Sequence, residues 1–137
     1  MKVGITCGTF DLLHAGHVLF LKDCRDNCDS LIVCLQGDPT IDRDWKNKPI
    51  QSIEERKIQL EGCRYVDNIV VYDTEKELFE LFSRLNWDIR FLGGDYKDKH
   101  SHEITGFYLG IIKYFSRDHG WSTTELRGRI KNVIEPR

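Results

Sequence analysis

Two imidazoles three residues apart, His14 and His17, stand where a β-branched run gives way to a helical pattern. Val3-Gly4-Ile5-Thr6-Cys7 reads as a buried strand of a parallel sheet, and Val18 to Cys24 has the apolar recurrence of a helix. Between them run the turn Gly8-Thr9-Phe10-Asp11 and the segment His14-Ala15-Gly16-His17. A helix N-terminus presents unsatisfied N–H groups and the positive end of its dipole, so it favours a bound anion. Gly16 has no Cβ and lets the backbone come close to a ligand. The chemistry that suits this corner is the handling of phosphate, with two imidazoles in reach.

An isolated His-x-x-His pair would as readily be a surface accident or half of a metal site. Its place after a strand decides for phosphate. Further candidates fall at the ends of later strands. Ser122-Thr123-Thr124 opens a helix, where Ser is routinely a cap but hydroxyls and amides can also meet a triphosphate. Arg117 carries a fork suited to phosphate oxygens. Lys46 and Lys48 lie in a polar loop from Gln36 to Pro49, where a lysine is ordinarily solvated. His100 and His102 read as surface residues, and His119 receives no chemical role.

The elements that must position these residues alternate between strand and helix, which predicts a parallel sheet covered on both faces. Strands are expected at Val3–Cys7, Ser30–Leu35, Asn68–Tyr72, Ile89–Leu92 and Ile111–Phe115. Capping boxes at Ser52, Thr74 and Ser122 open helices, the second with Leu78, Phe79, Leu81, Phe82 and Leu85 on its inner face. The segment from Lys97 to Gly106 has no clear period. The fold class expected is α/β, a single-domain, doubly wound, Rossmann-like five-stranded parallel sheet over residues 1–137. Ligands of such sheets bind beyond the carboxyl ends of the strands, near the switch in strand order, and the candidate residues converge there.

Composition excludes several alternatives. With 20 Lys+Arg against 22 Asp+Glu the net charge is -2, so no nucleic-acid surface is signalled. Cys7, Cys24, Cys28, Cys34 and Cys63 form an odd set without paired CxxC spacing and read as reduced thiols of a cytoplasmic protein. No signal peptide and no membrane-spanning run is read.

Cys7 to His17 resembles the signature of the cytidylyltransferase-like branch of the HxGH nucleotidyltransferases. Arg117-Asp118-His119-Gly120-Trp121-Ser122-Thr123-Thr124 looks like the arginine-initiated, STT-ending signature of cytidylyltransferases acting on glycerol 3-phosphate, choline phosphate and ethanolamine phosphate. Arg64-Tyr65-Val66-Asp67 looks like their RYVD element, and Arg56 matches the Arg of their preceding helix. Trp121 departs from the small aliphatic residue usual before STT. Gly93-Gly94-Asp95-Tyr96-Lys97 is also similar to the bacterial heptose-1-phosphate adenylyltransferases.

The resemblance implies a transfer from CTP to glycerol 3-phosphate, giving CDP-glycerol and pyrophosphate for teichoic acid or capsule synthesis. A sugar- or heptose-phosphate nucleotidyltransferase is the alternative. It implies catalysis by His14, His17, Lys46 and Arg117. Nucleotide contacts are expected from Gly8, Thr9, Phe10, Gly16, Arg64, Gly94, Asp95, Arg117, Trp121, Ser122, Thr123 and Thr124. The acceptor phosphomonoester would meet Asp11, Lys46 and Lys48, with Lys46 preferred over Lys48. Mg²⁺ or another divalent cation is the expected cofactor, with Asp11 as its contact, and a homodimer is the expected assembly.

Overall fold

The computed structural model describes residues 1–93 and 112–135. Gly94 and Asp95, the segment from Lys97 to Gly106, and Ile111 therefore lie outside the described residues. Five strands, β1 (Val3–Gly8), β2 (Ser30–Gln36), β3 (Asn68–Tyr72), β4 (Ile89–Gly93) and β5 (Ile112–Phe115), form one sheet in the order β3-β2-β1-β4-β5. Every pairing is parallel. The helices described are α1 (Ala15–Asp26), α2 (Ile53–Glu61), α3 (Glu75–Arg84) and α4 (Thr123–Ile134). This is the doubly wound α/β fold that the alternating pattern predicts.

Alternation along the strands builds the two layers. Leu31, Val33 and Leu35 of β2 pack with Leu21 and Cys24 of α1 and Leu60 of α2. Ile32 and Cys34 face the other way, against Leu78, Leu81 and Phe82 of α3. Fully burying each such side chain contributes about 1.5–3 kcal/mol, so the two layers fix the sheet between the helices. Phe79 and Leu85 join the α3 layer only in part. All five cysteines are free, and burial pushes the Cys34 thiol up to about 12, so it is an inert core residue.

Of the three capping boxes read from the sequence, only Ser52–Glu55 closes in both directions. Thr74 and Ser122 each accept from the amide three residues on, but Glu77 turns back to the Asp73 amide and Glu125 pairs with Arg129. The chain runs outward from β1 to β2 and β3, then returns across β1 to β4. The switch point is thus the crevice between the carboxyl ends of β1 and β4, and ligand sites of such sheets form there. Among the described residues no helix is long and apolar enough to cross a membrane.

Candidate active site

The chain leaves β1 through a turn under strain. Phe10 (φ 46°) and Leu12 (φ 53°) occupy the left-handed region, costing about 1–3 kcal/mol each for side chains of this size. Neighbouring groups hold them there. The buried Asp11 carboxylate accepts from the Ile50 and Gln51 amides at 2.8 and 2.9 Å and from Arg127 Nη2 at 3.1 Å. Leu12 N donates to Gln51 Oε1 at 2.8 Å. Burial alone would raise the pKa of Asp11, but these donors together outweigh it and hold the carboxyl below its usual range. Beneath the turn, the buried guanidinium of Arg56 donates to the carbonyls of Thr9 (3.0 Å), Gln36 (2.6 Å) and Gly37 (2.6 Å). One cation thereby ties the ends of β1 and β2 to the start of α2.

The two imidazoles cap α1 themselves. Gly16 N donates to His14 Nδ1 at 3.0 Å, and His14 N donates to His17 Nδ1 at 3.2 Å. A ring nitrogen that accepts from an amide carries no proton, so both rings hold theirs on Nε2. The rings lie 3.9 Å apart, and Phe10 flanks His17 at 5.4 Å. Burial lowers His17 to about 4, with His14 and Arg117 acting in the same direction. Burial and then Arg117 also lower His14. Both are neutral near pH 7, and each offers an Nε2–H as its remaining polar group.

The opposite wall comes from β5 and the start of α4. Thr123 Oγ1 sits 3.3 Å from His14 Nε2 and accepts a hydrogen bond from it. Ser122 Oγ takes the Glu125 amide, so its hydroxyl acts as a cap. Arg117 Nη2 donates to the Trp121 carbonyl at 3.0 Å, and Trp121 N donates to His119 Nδ1 at 2.9 Å. The His119 and Trp121 rings stack. A Cβ on Gly16 would meet His14 Cε1 at 2.8 Å, His119 Cε1 at 2.9 Å and the Trp121 carbonyl at 3.0 Å. Only glycine lets α1 approach this wall so closely.

A cavity of about 580 Å³ opens at the switch point. Its wall brings together Gly8, Thr9, Phe10, Asp11, His14, Gly16, His17, Lys46, Arg117, Trp121, Ser122, Thr123 and Thr124. Lys48 lies outside it, 4.0 Å from Asp38, which separates the two loop lysines. Arg64 is not brought there either. It precedes β3, where Asp67 accepts from the Leu31 amide and Arg25, and that is the amino edge of the sheet. Among the described residues no group of three or more His, Cys, Asp or Glu is placed to hold a metal ion. With both Asp11 oxygens already taken, the described side chains do not fit a protein-held magnesium ion.

A family model described as cytidylyltransferase-like matches residues 5–129, which takes in the whole cavity wall described. The chain belongs to the cytidylyltransferase-like family. Similar proteins include the Bifunctional protein HldE of Wolinella succinogenes, 40% identical over 132 residues, that of Campylobacter concisus, 35% over 134, and that of Granulibacter bethesdensis, 39% over 136. These matches cover 95–97% of this chain but 27–28% of each relative, so it spans a little over a quarter of their length. A lipopolysaccharide core biosynthesis protein from Thermoplasma volcanium superposes with a TM-score of 0.61 at 21% identity, covering 97% of this chain and 88% of that one. Pantothenate synthetase from Thermus thermophilus gives 0.55 at 15%, covering 85% and 55%. At those identities the solved structures speak for the fold alone.

This cytidylyltransferase-like domain is therefore a member of a nucleotidyltransferase family. The site also contains residues that sequence reasoning missed. Arg127 reaches Asp11 from one helical turn beyond Thr123, an offset the helix pattern could have given. His119 stands in the wall beside His14. Gln36, Arg43, Tyr72 and Glu75 extend the cavity toward α3, and no motif marked them.

Proposed function

We propose that this domain joins a nucleoside triphosphate to a sugar phosphate, releasing pyrophosphate. The observation that carries this reading is the pair of neutral imidazoles held side by side at the switch point by main-chain amides, facing a wall with Arg117. An oxygen of the acceptor phosphate attacks the α-phosphorus, a new P–O bond forms, and the bond to the β-phosphate oxygen breaks. The attacking oxygen is already anionic near neutral pH, so no side chain has to remove a proton. The protein aligns two anions and stabilises charge as it builds on the α-phosphate. The Nε2–H groups of His14 and His17 donate to those oxygens, and Lys46 and Arg117 offset the repulsion between the substrates. Mg²⁺ enters this reading as a counter-ion carried on the triphosphate, not as a resident of the protein.

A phosphosugar acceptor is favoured by the HldE relatives along nearly the whole chain and by the similarity of the segment beginning at Gly93 to heptose-1-phosphate adenylyltransferases. The signature starting at Arg117 favours CTP, and the Gly93 segment favours ATP. A pyrophosphate-release assay with CTP, ATP, GTP and UTP against glycerol 3-phosphate and several hexose and heptose phosphates tests both choices. Turnover is expected with a sugar phosphate and with CTP or ATP. Turnover confined to glycerol 3-phosphate would reinstate the CDP-glycerol reading, and no turnover with any pair would refute the reaction class.

A further inference from the structure

The cavity has a second lobe, away from Arg117 and α4, at the carboxyl ends of β2 and β3. Gln36 and Tyr72 are the last residues of those strands and register partners. Glu75 opens α3, and Arg43 comes from the polar loop after β2. All four line the same cavity as the imidazoles. Arg43 Nη2 donates to Gln36 Oε1 at 2.9 Å and lies 3.1 Å from Glu75 Oε1, while Gln36 Nε2 donates to the Asp73 carbonyl at 2.9 Å. Arg43 and Gln36 thus hold one another and fix the Glu75 carboxylate through one oxygen. The Tyr72 side chain is 4% exposed overall and lines the same cavity, where its phenol can meet a ligand.

The charge pattern selects among ligands. A carboxylate in the wall disfavours a second anionic group. The guanidiniums of Arg43 and Arg90, both in the wall, disfavour an ammonium head group. What remains is a neutral moiety rich in hydroxyls, which can donate to the second oxygen of Glu75 and pair with the Tyr72 phenol.

We infer that this lobe is the hydroxyl-reading subsite of the acceptor, with Glu75 and Tyr72 as specificity residues and Arg43 as the positioning residue that aims Glu75. The inference rests on the phosphosugar reading above. It adds which side chains tell one sugar phosphate from another, and it keeps the nucleotide apart from that choice.

The test compares wild type with Glu75→Gln and Tyr72→Phe, using the best sugar phosphate, its deoxy analogues and glycerol 3-phosphate as acceptors. Each variant is expected to raise the acceptor KM about tenfold or more, with nucleotide Kd within twofold. One deoxy analogue should lose the same factor with wild type and nothing further with the variant. Arg43→Lys should raise the acceptor KM less than Glu75→Gln and leave the preferred sugar unchanged. Nucleotide binding shows that each variant is folded. A variant that slows all acceptors equally, or that shifts nucleotide Kd as much as acceptor KM, overturns the inference while leaving the reaction class standing. A wild type that turns over no sugar phosphate overturns both, and the absence of wild-type turnover distinguishes that outcome.

Discussion

Replacing His14 by asparagine should separate two roles that one imidazole holds. Its Nδ1 accepts the Gly16 amide at 3.0 Å and caps α1, while its Nε2–H faces Thr123 and the cavity. The asparagine carboxamide oxygen can take the Nδ1 position, and Asn is among the best caps, so His14→Asn keeps the helix start. It removes the distal donor. The 3.3 Å contact to Thr123 is long and only part-buried, so its loss should cost well under about 1 kcal/mol. Turnover should fall by about 10²–10³, the effect of losing one preorganised donor, with the melting midpoint within about 1 °C of wild type. His14→Ala loses both roles. It should match that fall in turnover and lose about 1 kcal/mol of stability besides, a shift of about 4 °C for a chain of this size. Pyrophosphate release and thermal melts on the same samples decide it. Turnover within threefold of wild type in His14→Asn would refute the role given to Nε2. An alanine variant that melts no lower would refute the cap.

Acid should weaken the fold through His17. Because the native ring is depressed to about 4 from 6.5, the unfolded chain takes up the proton first. Stability complete above about pH 6.5 is therefore lost as pH falls toward 4, by at most about 3 kcal/mol, and urea midpoints at pH 7 and 4.5 should show a larger loss in wild type than in His17→Gln, where only the smaller contribution of His14 remains. Arg56→Met should cost about 3–5 kcal/mol in urea unfolding, since the carbonyls of Thr9, Gln36 and Gly37 lose a buried cation; a cost below about 1 kcal/mol would show that water replaces it. Lys46→Ala should lower kcat/KM tenfold or more, and Lys48→Ala should stay within twofold, because only Lys46 is in the cavity wall; equal effects would remove that distinction.

The strands were legible because parallel, doubly covered strands are written as apolar runs, and Asn68–Tyr72 has the bounds its run predicts. The corner was legible too, since a strand, a glycine-containing turn and a helix start leave few other geometries. The cap it contains was not, because histidine is an unusual N-cap and its pairing with His17 depends on ring orientation. The structure does not bring Arg64 to the cavity wall, and a motif resemblance carries no strand direction. Residues just before a parallel strand lie at the opposite edge from residues just after one. The lobe formed by Gln36, Arg43, Tyr72 and Glu75 had no local signal, since its four residues come from separate segments and meet only through sheet register and the fold of a loop.

Main-chain amides dictate where both active imidazoles keep their protons. A site so arranged keeps both of these imidazoles neutral near pH 7. Its rate against pH should then trace the incoming phosphomonoester, whose second ionisation falls near pH ~6. The polypeptide acts as a silent template, and any sensitivity of the reaction to the acidity of its surroundings belongs to the molecule it receives.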